Sequence, residues 1–354
     1  MPARVMICDD SAVIRGAIAR LLEADPGVKV VARVADGQAA VAELKRTPAD
    51  VIVLDIEMPV MDGLTALPKL LEVDPGVRVI MASTLTTRGA DIALRALRLG
   101  AADYVPKPSA MGVAGDESFK RELLEKVKGL ARLRRGAAAG AAGGTSANIA
   151  LRPAGTLPPR LLAIGSSTGG PQALFGLVQG LGAKMPVPVV LTQHMPASFT
   201  PILAAHLAKL GPLPCAEARD GEPLLPGRLY LAPGDKHLLV EGGAGMLHAR
   251  LSSDPPENFC RPAVDPMLRS ANAACGGRVL VAMLTGMGHD GLAGTRAVIE
   301  AGGTAIAQDE ASSVVWGMPG AIARAGLCHA VLPLARIAPR LLELLAPQRR
   351  AGMA

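Results

Sequence analysis

Aromatic side chains are nearly missing from this chain: four Phe, two Tyr and one Trp make up 2% of its 354 residues. Stacking the bases of single-stranded nucleic acid needs several exposed rings, so the scarcity argues against that class. It also demands aliphatic cores, for which a 50% hydrophobic content supplies ample material. Cysteine is sparse as well. Cys8, Cys215, Cys260, Cys275 and Cys328 are scattered and contain no CxxC pair, which speaks against disulfide or zinc frameworks and fits a reducing cytoplasm. No apolar run is long enough to span a bilayer, and a strand-like VMIC follows Met1 where a signal-peptide core would lie. A soluble cytoplasmic protein with no membrane insertion is expected. The net charge is a modest +6, and much of the basic excess sits in Lys120–Arg135, KRELLEKVKGLARLRR. That run reads as a solvated helix end and not a nucleic-acid surface; no helix-turn-helix pattern accompanies it.

What the chain does contain is alternation, and its length favours two domains. The apolar runs Val5–Cys8, Val28–Val34, Val51–Asp55, Val77–Ser83 and Ala102–Pro108 alternate with helical patterns. Ser11 caps a helix whose apolar face comprises Val13, Ile14, Ala17, Ile18, Leu21 and Leu22. A last helix starts near Glu117, with Phe119, Leu123, Val127 and Leu130 on one side. Such strand–helix units predict a doubly wound parallel sheet of the flavodoxin-like type. Asp9, Asp10 and Asp55 close strands and converge on one sheet edge. Clustered carboxylates make a hard-cation site, where Mg²⁺ would offset their repulsion and neutralise an incoming phosphoryl group. Ser83 ends the fourth strand and Lys107 the fifth, so a hydroxyl and an ammonium reach the same edge.

The first domain is expected over 1–132. A join follows over 133–158, where an Ala/Gly stretch and later prolines favour a mobile tether. The second domain is expected over 159–347, again a doubly wound, Rossmann-like, mostly parallel sheet. Its strands are LLAIGS, VPVVLTQH, RLYLAP, HLLVEG, RVLVAMLTG and TAIAQ. The Pro-Gly-Asp inside RLYLAPGDKHLLV predicts a β-hairpin between two of them.

Within Leu161–Gly170, LLAIGSSTGG, a strand meets hydroxyls, turns through glycines and enters a helix. That puts Ser167 at the mouth of the sheet as a candidate nucleophile, with helix amides ready to stabilise negative charge. His194 ends the second strand and Asp290 follows RVLVAMLTG, on the same edge. Serine needs a base, histidine has the matching pKa, and a carboxylate fixes the imidazole tautomer and stabilises its charged form. The Met287 amide, in the glycine-rich TGMGHDG, can face a tetrahedral oxyanion; the Ser167–Gly170 amides compete for that role. His206, His237, His248, His289 and His329 are rival bases. Asp265 is a rival carboxylate, although its position suggests a helix N-cap.

Over Arg4–Arg132 the sequence resembles a response-regulator receiver domain, through CDDS, DIEMPVMDGL, MAST and DYVPKP. The resemblance implies that Asp55 accepts phosphate from a histidine kinase. It further implies that Asp10, Asp55 and the Glu57 carbonyl bind Mg²⁺ with help from Asp9. Ser83 and Tyr104 would form the switch pair, and Lys107 would contact the phosphate. Over Arg160–Leu345 the chain resembles the catalytic domain of the chemotaxis protein-glutamate methylesterase family (CheB), through GSSTGG, QHMP, RPAVD and TGMGHDG. That resemblance implies Ser167 as nucleophile, His194 as base, Asp290 as orienting acid and Met287 as oxyanion amide, with no cofactor for the esterase chemistry. It implies hydrolysis of glutamate γ-methyl esters on chemoreceptor signalling helices, and deamidation of receptor glutamines in many members. A non-catalytic, phosphorylation-dependent binding module is the alternative.

Overall fold

In the computed structural model, which describes residues 1–83, 86–107, 117–138, 149–183, 185–242 and 245–346, the chain divides into two units, Met1–Gly144 and Thr145–Ala354. The first unit runs β1 (Ala3–Cys8), α1 (Ala12–Glu23), β2 (Val28–Val34), α2 (Gly37–Arg46), β3 (Val51–Asp55), α3 (Gly63–Val73), β4 (Arg78–Ser83), α4 (Thr87–Arg98), β5 (Asp103–Pro106) and α5 (Glu117–Ala138). Its five-stranded sheet has the order β2-β1-β3-β4-β5, parallel throughout. The central strand VIVLD is buried along its whole length, as a strand covered on both faces must be. Helix starts follow from short polar side chains that accept an otherwise unpaired amide. Ser11 accepts from Ile14, Asp36 from Ala39, Asp62 from Thr65 and Thr86 from Gly89.

The basic run is less solvated than its composition suggests. Lys126 is buried and reaches Glu122 at 2.7 Å and Asp103 at 3.4 Å, because its helix position faces the sheet. Arg134 binds Asp74, and Arg135 binds Asp50 at 2.9 Å, so the charge is largely spent inside the unit. Helix α5 also continues to Ala138, past the boundary expected at 132.

The second unit runs β6 (Leu161–Ser166), α6 (Gly170–Gly180), β7 (Val189–Gln193), α7 (Thr200–Leu210), β8 (Cys215–Glu217), β9 (Leu229–Leu231), β10 (His237–Gly242), β11 (Leu247–Ser252), α8 (Val264–Cys275), β12 (Val279–Met283), α9 (Leu292–Glu300), β13 (Thr304–Gln308), α10 (Met318–Arg324), β14 (Ala330–Leu332) and α11 (Leu334–Leu345). Seven strands form one parallel sheet in the order β14-β13-β12-β6-β7-β9-β8. The order reverses at β6: the chain proceeds to β7 on one side, then returns to β12 on the other. A crevice opens at such a switch point, beyond the carboxyl ends of the strands. The core beneath it is aliphatic, with Leu161, Ala163, Val281 and Met283 packed on Val264, Met267 and Leu268.

The hairpin is not where Pro-Gly-Asp predicts it. β9 stays in the parallel sheet beside β7 and β8, whereas β10 leaves it and pairs antiparallel with β11. The turn between β9 and β10 is used to exit the sheet. Gly234 passes so close to the 196–197 backbone that a Cβ would lie 2.3 Å from the Ala197 nitrogen, and the Asp235 amide donates to the Arg261 carbonyl.

Ten residues of the expected tether, 139–148, fall outside the described residues. The stretch after it is bound to the second unit. Arg152 donates its amide to the Cys328 carbonyl, and the Gly155 amide donates to Thr304 Oγ1 at 2.9 Å.

Candidate active site

β6 ends at Ser166, and the chain turns at once into α6. Two glycines make the turn feasible. Gly169 has φ +73°, and a Cβ there would lie 2.4 Å from Val314; a Cβ on Gly170 would lie 2.0 Å from Gln193 Oε1. Ser166 is fully buried and donates its hydroxyl to Gln193 Oε1 at 2.7 Å. Gln193 Nε2 in turn donates to the carbonyls of Ser167 (2.9 Å) and His194 (3.0 Å). One glutamine therefore ties the end of β6 to the end of β7, and Ser166 serves that tie. Ser167 is the partly exposed hydroxyl. Its amide donates to the Thr285 carbonyl, and its Oγ bonds to no protein group among the described residues.

Across the switch point, His194 Nε2 lies 2.7 Å from Asp290 Oδ2. Asp290 is almost wholly buried at the start of α8, where its carboxylate accepts the amides of Val264 (2.6 Å) and Asp265 (3.0 Å). It also accepts from the Gly291 amide and from Asn258 Nδ2 at 3.0 Å. Burial raises its pKa, but the His194 bond and charge and the two α8 amides outweigh that and leave it below the usual carboxylate value. Burial pulls the His194 pKa down, and the bonds to Asp290 and Cys260 more than reverse it, so the imidazole holds its proton above the ordinary histidine range. Its other nitrogen, Nδ1, lies 3.4 Å from Cys260 Sγ.

Asp265 is not the N-cap that its position suggests. It lies inside α8, whose N-cap is Ala263, and its carboxylate accepts the Gly294 amide in the first turn of α9 at 2.6 Å. The arrangement is reciprocal: Asp290, before α9, caps α8, while Asp265, in α8, caps α9. Asn258 Nδ2 bridges the two carboxylates, reaching Asp265 Oδ2 at 3.1 Å. Burial and the Asp290 charge push the Asp265 pKa up. Met287 sits between Gly286 and Gly288 in the loop after β12, and among the described residues its amide donates to no protein acceptor; the Thr168 amide is likewise unpaired. The rival histidines lie elsewhere. His237 is held by Pro255 and Ala263, His329 by Arg152 and Arg340, His206 is buried in α7, His248 lies in β11 and His289 is exposed. Arg261 is committed to Asp235 and to the carbonyls of Ser253 and Asp254. The sequence gives no site signal for Asn258 or Cys260; Gln193 has one, as the residue before His194 in QHMP.

In the first unit, carboxylate oxygens of Asp9, Asp10 and Asp55 lie within 4.8 Å of one another. Lys107 Nζ lies 2.7 Å from Asp9 Oδ2 and 2.7 Å from Asp55 Oδ1. Glu57 and Ser83 line the same cleft. Burial raises the Asp55 pKa, aided by the charge of Asp9 and opposed by Lys107. An all-oxygen cluster with more negative charge than one lysine offsets fits a divalent cation such as Mg²⁺. Tyr104 is buried with Lys126 Nζ 5.0 Å from its ring centroid.

Comparison with known proteins matches the two halves of the chain to two families. The CheB methylesterase model covers residues 162–341, and the response regulator receiver domain model covers residues 5–113. The protein-glutamate methylesterase/protein-glutamine glutaminase of Azospirillum brasilense is 56% identical, over 96% of this chain and 91% of its own. A protein of the same description from Rhodospirillum centenum is 55% identical, over 99% and 95%. The crystal structure of the Thermotoga maritima CheB methylesterase catalytic domain aligns with a TM-score of 0.52 at 40% identity, covering 53% of this chain and all of that one. This chain belongs to the CheB methylesterase family, with a response regulator receiver domain preceding the hydrolase domain.

Proposed function

We propose that the chain removes methyl groups from glutamate γ-methyl esters on chemoreceptor signalling helices, and that phosphorylation of Asp55 controls the reaction. The observation that carries this reading is the 2.7 Å His194–Asp290 pair on the sheet edge where Ser167 leaves β6. Ser167 Oγ attacks the γ-carbonyl while His194 takes its proton through Nδ1, since Nε2 is engaged by Asp290. The Met287 amide, with that of Thr168, donates to the tetrahedral oxyanion. His194 then protonates the departing methanol. In the second half, water gives a proton to His194 as it attacks the acyl-enzyme. His194 passes that proton to Ser167 Oγ as the acyl bond breaks, leaving the glutamate product, which ionises to the carboxylate. The same steps on a glutamine side chain expel ammonia, which accounts for the glutaminase half of the relatives' description. No cofactor enters the esterase chemistry.

In the receiver, Asp55 accepts the phosphoryl group from a histidine kinase. Asp10, Asp55 and the Glu57 carbonyl, assisted by Asp9, would hold Mg²⁺, which would neutralise charge on the cluster and on the incoming group. Lys107 pairs with the phosphoryl oxygens, and Ser83 with Tyr104 reads the new state. Among the described residues no helix is long and apolar enough to cross a membrane. In this reading the enzyme meets its receptors from the cytoplasm, with no nucleic acid as a partner. Incubation with methylated receptor membranes should release methanol in step with new receptor carboxylates; carboxylate formation without methanol, or neither product, would contradict the reading.

A further inference from the structure

Residues 257–260 form a two-residue turn at the catalytic edge. Glu257 and Cys260 exchange both backbone hydrogen bonds, at 3.1 and 2.9 Å, and the two residues between them have positive φ, 52° at Asn258 and 63° at Phe259. Such turns favour asparagine first and glycine second. Asparagine tolerates the left-handed region, whereas a bulky side chain is an outlier there. The other members of the turn are all tied down: Glu257 to Arg269 through two bonds of 2.6 Å, Asn258 to Asp265 and Asp290, and Cys260 to His194. Phe259 alone is 94% exposed. A phenyl ring therefore stands in water, at a position where folding favours glycine, in a chain with only four Phe. Its ring packs against nothing in the fold of its own unit, so its reason lies outside that unit's fold.

We infer that Phe259 is a specificity-determining contact for the protein substrate, an apolar anchor against the receptor helix that presents the methyl ester. This deepens the proposed function and rests on it. The next residue touches the His194 ring, so a glutamyl side chain delivered to Ser167 brings its own helix across this rim. The substrate helix is the partner that must be there at each turnover.

The test uses the full-length protein and methylated receptor membranes. Phe259→Gly removes the ring and relieves the left-handed strain, so the unfolding midpoint should hold or rise. KM for methanol release should increase on the order of tenfold with kcat within about twofold, the scale for losing one aromatic anchor. Phe259→Leu, which keeps an apolar side chain, should recover much of the loss. An unchanged KM would overturn the inference, as would an unchanged KM accompanied by altered self-association. A parallel fall in turnover of a small aryl acetate would also overturn it, by assigning Phe259 to the catalytic framework. If the wild type hydrolysed the aryl acetate through Ser167 yet released no methanol from receptors, the receptor reading itself would fail, an outcome distinct from an unchanged KM.

Discussion

His194 turns Nε2, not Nδ1, toward Asp290, with 2.7 Å between Nε2 and Oδ2. An ionised Asp290 selects the tautomer with the proton on Nε2, which leaves Nδ1 as the basic nitrogen. The carboxylate stays ionised because the His194 bond and charge, joined by the amides that start α8, outweigh its burial.

In the proposed mechanism this pairing sets the pH dependence. The His194 pKa is raised from 6.5 to about 10 by the Asp290 and Cys260 bonds acting against burial. A general base must be neutral to accept a proton, so the rising limb of kcat/KM should lie well to the alkaline side of an ordinary histidine. Asp290→Asn should move that limb to lower pH and cut kcat by roughly 10⁴-fold, through loss of the tautomer and of charge stabilisation. A limb unmoved by the substitution would separate Asp290 from the base.

Cys260 makes a second, smaller prediction. Its thiol contacts Nδ1 at 3.4 Å and helps to hold the imidazole protonated. Cys260→Ala should shift the same limb to lower pH while the Asp290 bond persists. A profile identical to wild type would mean that the thiol has left Nδ1 before proton transfer.

Adjacent serines should behave differently. Ser166→Ala deprives the buried Gln193 carbonyl of its donor, at a cost of about 1–3 kcal/mol in stability. Thermal unfolding should detect the loss, and the folded fraction should keep its esterase activity. Complete loss of turnover in a folded Ser166→Ala protein would assign the attacking hydroxyl to the wrong serine.

The sheet edges could be read from sequence because their strands are continuous apolar runs that stop at a polar residue: VIVLD stops at Asp55, LLAIGS at Ser166 and VPVVLTQH beside His194. The hairpin could not, because Pro-Gly-Asp has the same chemistry whether a strand folds back or leaves the sheet. The close approach of Gly234 to Ala197, which decides between them, is a long-range contact. β8 and β14 have three residues each, too short for any period to show. Asp265 misled for a related reason. The groups it and Asp290 cap lie more than twenty residues away in sequence, at starts of each other's helices. Asn258 and Cys260 reach the site the same way, from a turn 32 and 66 residues away from Asp290 and His194 respectively.

The most direct test is methanol release from methylated receptor membranes by the wild type, Ser167→Ala and Asp55→Asn, each with and without a small phosphodonor plus Mg²⁺. The account predicts release by the wild type that rises with phosphodonor. Ser167→Ala should lose at least about a thousandfold in either condition, and Asp55→Asn should retain basal release without stimulation. Substantial release by a folded Ser167→Ala protein would contradict the account at its centre.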